Sequence, residues 1–156
     1  MCFPGHRRCD LSSRAGIVTA TERKWNRGYC PRQLYPFRAQ IKFTGWLTPN
    51  EMAKWYLAAD ILVVPSWYEP FGMVILEGML YGLAVAASAV GGPAEILDHG
   101  RTGVLFAPRD GAALAEAVLR LVKDPERTAR IGEAGAREVP EKWLWPRIFE
   151  KDALRL

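Results

Sequence analysis

Two glutamates stand out in the segment Ser66 to Gly78, SWYEPFGMVILEG. Glu69 precedes a Phe71-Gly72 turn, and Glu77, separated from Glu69 by seven residues, lies inside a helical pattern after it. Gly72 has no Cβ, so backbone there can come close to a ligand. The N–H groups of Gly72, Met73 and Val74 would open the helix, and such an opening favours an anion, phosphate above all. Glu77 has Val74, Ile75, Leu76, Met79 and Leu80 around it in sequence. A carboxylate buried in such surroundings costs several kcal/mol unless it is hydrogen-bonded. Glu77 is therefore expected to need donors, and the two neighbouring hydroxyls of a ribose could serve.

The elements that must position these groups are legible on either side. Ile41 to Thr44 reads as a short strand ending at Gly45. Thr48-Pro49-Asn50-Glu51 is a helix start, with Thr as cap, Pro at the first helical position and Glu at the third. Met52, Trp55, Tyr56 and Ala59 then recur at i, i+3, i+4, i+7 and predict one core-facing stripe. Asp60 separates this helix from Ile61-Leu62-Val63-Val64-Pro65, an apolar β-branched run suited to a strand buried on both faces. The helix after Gly72 runs to Tyr81 and stops at Gly82. Leu83 to Ser88 is a second buried strand, and Gly91-Gly92-Pro93 turns into a short helix, Ala94 to Asp98. Gly100 to Gly103 is a turn before a last strand, Val104 to Phe106. Asp110 caps a helix with Leu114, Val118, Leu121 and Val122 on one face, and Asp124-Pro125 starts another carrying Ile131 and Ala134. The tail from Trp143 to Leu156 reads as helical after Pro146, with Trp143 and Trp145 as anchors. Alternating strands and helices with short connections predict a parallel α/β sheet. The loop holding Glu69 follows a strand, the usual ligand position in open α/β sheets.

Composition narrows the function classes. Of 156 residues, 49% are hydrophobic and 24% charged, which argues against wholesale disorder. No stretch resembles a membrane span, and MCFPGHRRCD lacks the apolar core of a secretory signal. A soluble cytoplasmic protein is expected. The net charge is +4, yet residues 1 to 40 carry a net of +6 and the rest −2. The main body therefore does not read as a nucleic-acid binder. Cys2, Cys9 and Cys30 are odd in number and confined to the first thirty residues, so no disulfide framework is expected. Cys2, His6 and Cys9 match no common zinc spacing, and no metal site is expected. Absence of a G-x-G-x-x-G after a strand argues against a dehydrogenase-type Rossmann protein.

The ordered set of residues resembles the retaining, nucleotide-sugar-dependent glycosyltransferases of family 4 and the related glycogen synthases. Glu69 and Glu77 match their E-x7-E motif, with Phe71-Gly72 between. Gly45, Ala59-Asp60-Ile61, Gly91-Gly92 with Glu95, and Gly103-Val104-Leu105 fall in the same order. The resemblance covers about residues 41 to 145. It implies a Rossmann-like parallel sheet with flanking helices, the C-terminal half of a GT-B fold. It also implies transfer of a hexose from a UDP-, GDP- or ADP-hexose to an acceptor, with retention of configuration. Glu69 and Glu77 would be the central carboxylates: Glu77 on the donor ribose, Glu69 on the transferred hexose. Backbone at Phe71, Gly72, Met73 and Val74 would hold hexose and diphosphate, Trp46 and Leu47 would lie near the base, and Gly91 and Gly92 would border the pocket. The resemblance implies no metal or cofactor beyond the nucleotide sugar, because amides and positive groups stabilise the leaving diphosphate. It implies a front-face reaction, so neither glutamate need be a nucleophile of the kind retaining glycosidases use.

Full family members carry an N-terminal acceptor domain, and their C-terminal domain opens with two strands that this sequence does not show before Ile41. The domain is therefore expected to be incomplete at its N-terminal side. Residues 1–38 are expected to be a poorly ordered or non-native extension, with Gly16 to Ala20 the one candidate strand, and residues 39–156 the partial nucleotide-sugar-binding domain. An alternative is a non-catalytic nucleotide-binding fragment or subunit that docks to a separate acceptor domain. The acceptor itself is not readable.

Overall fold

In the computed structural model, residues 44–143 are described. The strand read at Gly16 to Ala20, all but the last residue of the strand read at Ile41 to Thr44, the Cys2-His6-Cys9 group and the tail beyond Trp143 lie outside them. The chain divides into two units, Met1–Trp46 and Leu47–Leu156. The first is represented among the described residues by Thr44, Gly45 and Trp46 alone. Every described helix and strand belongs to the second.

The elements run α1 (Pro49–Ala58), β1 (Ile61–Val64), α2 (Met73–Leu80), β2 (Ala84–Ser88), α3 (Gly91–Ile96), β3 (Val104–Phe106), α4 (Gly111–Lys123) and α5 (Pro125–Lys142). Among the described residues the sheet has three parallel strands in the order β1-β2-β3. Ile61 aligns with Ala84, and Ala86 with Val104. Each strand returns through a helix, as parallel pairing requires.

The predicted signals act as local chemistry demands. Thr48 and Glu51 form a reciprocal capping box at α1, with Pro49 first in the helix. Asp110 accepts from the N–H groups of Ala112 and Ala113 at the start of α4, and Asp124 accepts from Arg127 N–H at the start of α5.

β2 is the centre. All five of its residues are buried, and its period of two divides them between two cores. Val85 and Ala87 join Val64, Ile75, Met79, Ile96, Leu97 and Val139 on one face. Ala84 and Ala86 join Val104, Phe106, Ala117, Leu121 and Ile131 on the other. Trp143 packs against the first cluster, in keeping with an anchoring role. β2 is rich in alanine because helices press on both of its faces at close range.

Four details differ from the sequence reading. Ile61, Leu62 and Val63 are half-buried rather than buried, because β1 has no outer neighbour among the described residues. The short helix starts at Gly91, not at Ala94. Pro93 is tolerated in its first turn, where a missing N–H breaks no helical bond. The inward face of α4 passes through Ala117 and Leu121, and Val122 is exposed. Thr44, read as the last residue of a strand, is not in one.

α5 underlies the N-terminal ends of the strands. A Cβ on Gly132 would lie 2.0 Å from the Gly82 carbonyl oxygen, just before β2. Nearby, the carboxylate of Glu138 accepts from Arg101 and, at 3.0 Å, from Lys142. Arg101 also reaches Asp98. Burial pushes the Glu138 carboxyl up, but the bonds from Arg101 and Lys142 outweigh it and hold the group below its ordinary value of 4.5.

Gly132→Ala should destabilise the domain by about 1–3 kcal/mol through overpacking against backbone. Gly111→Ala, with nothing within 4 Å of the added carbon, should leave chemical denaturation unchanged or slightly improved. Because its folded-state value is depressed, Glu138 contributes stability above pH 4.5 that disappears as pH falls through the lowered value. Thermal melts of Glu138→Gln should accordingly lie below those of the parent at neutral pH and fall less steeply in acid.

Candidate functional site

The loop from Pro65 to Gly72 leaves the C-terminal end of β1, and Ala89-Val90 leaves that of β2. The two meet through backbone. The Glu69 carbonyl accepts from Gly92 N–H at 2.9 Å. A Cβ on Gly92 would sit 2.7 Å from the Phe71 carbonyl carbon, and one on Gly91 2.5 Å from the Glu69 oxygen. No other residue type fits at either position without moving the loop, and Gly91 also has a φ of +41°.

The Glu69 side chain turns back on its own loop. Its Oε1 accepts from Gly72 N–H at 3.0 Å. Gly72 adopts φ +71° as the cap of α2, a conformation that suits glycine. This corrects one expectation: the Gly72 amide is taken by Glu69 and is not free for an anion. The next two amides, Met73 and Val74, stand in the first turn of α2, where no intrahelical acceptor exists. Those two are the donors the helix start can offer.

Glu77 is exposed on α2, contrary to the expectation that its apolar neighbours would bury it. Those neighbours point elsewhere around the helix, with Ile75 and Met79 fully buried. A donor is present all the same. Tyr56 of α1, itself buried, gives its hydroxyl to Glu77 Oε2 at 3.0 Å. Burial, and then the carboxylate beside it, raise the Tyr56 phenol well above its ordinary value, so the hydroxyl remains a donor across the working range. The ring of Tyr56 lies 5.3 Å from that of Tyr81, tying α1 to the end of α2. Sequence reasoning placed Tyr56 on the core stripe but missed its bond to Glu77. The available signal was a tyrosine on a buried face, whose hydroxyl must find a partner.

The structure thus brings together Glu69, Phe71, Gly72, Met73, Gly91 and Gly92. Phe71 is exposed, as is Met73, so neither side chain is core. Val74 packs against the first core cluster and can offer the site only its amide. Leu47 is half-buried immediately before the cap of α1. Trp46 is exposed and belongs to the other unit. Glu95 and His99 are exposed, and His99 Nδ1 accepts from Leu105 N–H at 3.0 Å, a bond that joins the turn to β3. No described helix is long and apolar enough to cross a membrane.

Residues 29–138 match the family of glycosyl transferases group 1. The chain belongs to that family. The match begins inside the segment 1–38. Alpha-maltose-1-phosphate synthase of Mycolicibacterium smegmatis is 45% identical over 127 residues, which make up 77% of this chain and 33% of the relative. Among solved structures, HepE of Anabaena in complex with UDP-glucose is similar with a TM-score of 0.69 and 28% identity, over 79% of this chain and 34% of that one. The C-terminal domain of a group 1 glycosyl transferase, LpcC of Francisella tularensis, matches with a TM-score of 0.63 and 28% identity, over 74% of this chain and 66% of that one. The chain spans about a fifth to a third of the length of the curated relatives it matches. The fold is the Rossmann-like α/β arrangement of the C-terminal half of a GT-B glycosyltransferase.

Removing the Tyr56 hydroxyl should loosen Glu77 without unfolding the domain. Tyr56→Phe is expected to cost about 1 kcal/mol in urea denaturation, the worth of one partly solvated hydrogen bond. Gly92→Ala should cost more, because the added carbon meets backbone on the Glu69 loop. Equal stability of the two variants would contradict the loop contact.

Proposed function

We propose that this chain carries the donor-binding part of a retaining hexosyltransferase of family 4. In this reading it transfers a hexose from a UDP-, GDP- or ADP-hexose to an acceptor hydroxyl. The supporting observation is the Glu69 loop. Its carbonyl is fixed to Gly92, its carboxylate to Gly72, and the open amides of Met73 and Val74 start a helix beside it. An anionic diphosphate suits those amides, which are already oriented and need no rearrangement as charge develops on the leaving oxygen.

Glu77 would bind the ribose. Tyr56 holds one of its oxygens, and the other has no protein donor among the described residues, so it is open to two adjacent hydroxyls. Glu69 would contact the hexose at the mouth of the same loop. In the reaction, the bond from the anomeric carbon to the phosphate oxygen breaks as a bond from that carbon to the acceptor oxygen forms on the same face. The acceptor proton passes to the departing phosphate oxygen. The reaction needs no protein nucleophile and leaves Glu69 and Glu77 as binding and orienting carboxylates. The UDP-glucose complex of HepE supports the donor class by similarity.

Isothermal titration of the chain with UDP, GDP and ADP tests this directly. One nucleotide should bind, and Glu77→Ala should weaken it by at least about tenfold, as for loss of hydrogen bonds to a charged group. A folded chain that binds none of the three, or a Glu77→Ala variant with the affinity of the parent, would overturn the reading.

A further inference from the structure

The sheet covers one side of α4 and leaves the other without a neighbour among the described residues. Ala117 and Leu121 are buried, while Leu119 is 52% and Val122 44% exposed. A single exposed apolar side chain is ordinary, but these two share their side of the helix with Ala112 and Ala115, also exposed. An open groove of about 500 Å³ runs along this side, with Glu116, Arg120 and Lys123 among its lining residues.

A helix advances about 1.5 Å and turns about 100° per residue, and that geometry sorts the face into three rows. Leu119 stands on the middle row with Ala112 and Lys123. Ala115 and Val122 flank it on one side, Glu116 and Arg120 on the other. One flank is apolar and the other charged, and along the charged flank the acid comes before the base.

This order makes the face complementary to itself. A two-fold axis perpendicular to the helix and level with Val118 sets a second α4 antiparallel to the first. Such an axis keeps each flank on its own side and reverses its direction. Glu116 and Arg120 stand two positions either side of Val118, so each Glu116 falls opposite the Arg120 of the second copy. Ala115 falls beside the second copy's Val122, and Leu119, one position from the axis, meets its own counterpart. A parallel pair would instead lay each charged flank on the other copy's apolar flank, where the charges would lose water without gaining partners.

Within one copy, Arg120 donates to Glu116 one turn away, and both side chains are mostly exposed. A solvated pair of this kind contributes little. Across two copies the four groups close a ring of alternating charge at the rim of an apolar contact, where screening is weaker.

We propose that the outward face of α4 is a homodimer interface, formed by antiparallel pairing of two α4 helices about a two-fold axis. The contact is isologous, so it closes at two copies and builds no filament.

The test is sedimentation equilibrium of the full chain in reducing buffer. One helix pair is a small interface, so half-dimerisation is expected at roughly tens of micromolar. Leu119→Glu should raise the dissociation constant at least about tenfold, and it should leave the melting temperature of the dilute chain unchanged. Glu116→Arg and Arg120→Glu should each weaken the dimer alone. Mixing these two variants in equal amounts should restore it, because every charge pair across the two-fold is then between opposite signs. A face that merely adheres to apolar surface would show no such recovery. A chain monomeric up to about 1 mM, a dimer indifferent to Leu119→Glu, or single variants that do not recover on mixing would overturn the proposal. A monomer destabilised by Leu119→Glu would put another segment of the same chain on this face, and an unaffected monomer would leave the face to a different protein.

Discussion

The contact on which the site depends is the hydrogen bond from Gly92 N–H to the Glu69 carbonyl. It brings the loop after β1 against the start of α3 at backbone distance, and it forms because neither Gly91 nor Gly92 carries a Cβ. The consequences run outward in order. With the loop fixed, the Glu69 side chain reaches Gly72 N–H. With Gly72 held at φ +71°, α2 begins where it does, and its first amides face out beyond the strand ends. About one turn later the same helix presents Glu77. The whole constellation hangs on a close approach between two chain segments that the parallel pairing of β1 and β2 places side by side.

That pairing in turn depends on β2. A strand of Ala, Val and Ser has little surface to bury per residue, and its stability comes from being enclosed on both faces. Small side chains let α2 and α3 come near from one side and α4 from the other, with α5 contributing Ile131 to one cluster and Val139 to the other. Gly78 against Leu62 and Gly132 against Gly82 repeat the device. Dispersion between closely packed backbones compensates for the modest apolar area of the strand.

Much of this was legible in the sequence. The caps at Thr48, Asp110 and Asp124, the three strands and the alternation of strand and helix follow from spacing and residue type, because each is set by neighbours within a few positions. The candidate residues Glu69, Gly72, Gly91 and Gly92, which the structure brings together, were legible as a set but not as a set of bonds. That the Glu69 carboxylate would consume the Gly72 amide depends on the φ of one residue. That Glu77 would be exposed depends on how α2 rolls against the sheet. Apolar neighbours in sequence say nothing of roll when a helix is apolar nearly all round, as MVILEGML is. Tyr56 and Glu77 lie 21 residues apart, and no local pattern links them. The half-burial of β1 likewise goes with its place at the end of the described sheet rather than with the ILVV run.

Stability and chemistry are placed at opposite ends of this sheet. The groups that close the fold, Gly132 on Gly82 and the Glu138 carboxylate between Arg101 and Lys142, lie where strands begin. The groups assigned to the donor lie where strands end, and there the bonds among the described residues are few: one from Gly72, one from Gly92, one from Tyr56. A buried carboxylate with a cationic donor on each oxygen, as Glu138 has in Arg101 and Lys142, has little left to offer a ligand. Glu77, exposed and bonded once among the described residues, keeps an oxygen without a donor there, and that bond restrains the carboxylate without saturating it. The same physics that makes Glu138 a structural residue leaves Glu77 the capacity to bind that the proposed function uses, and the difference between them is the number of donors each is given, not the side chain itself.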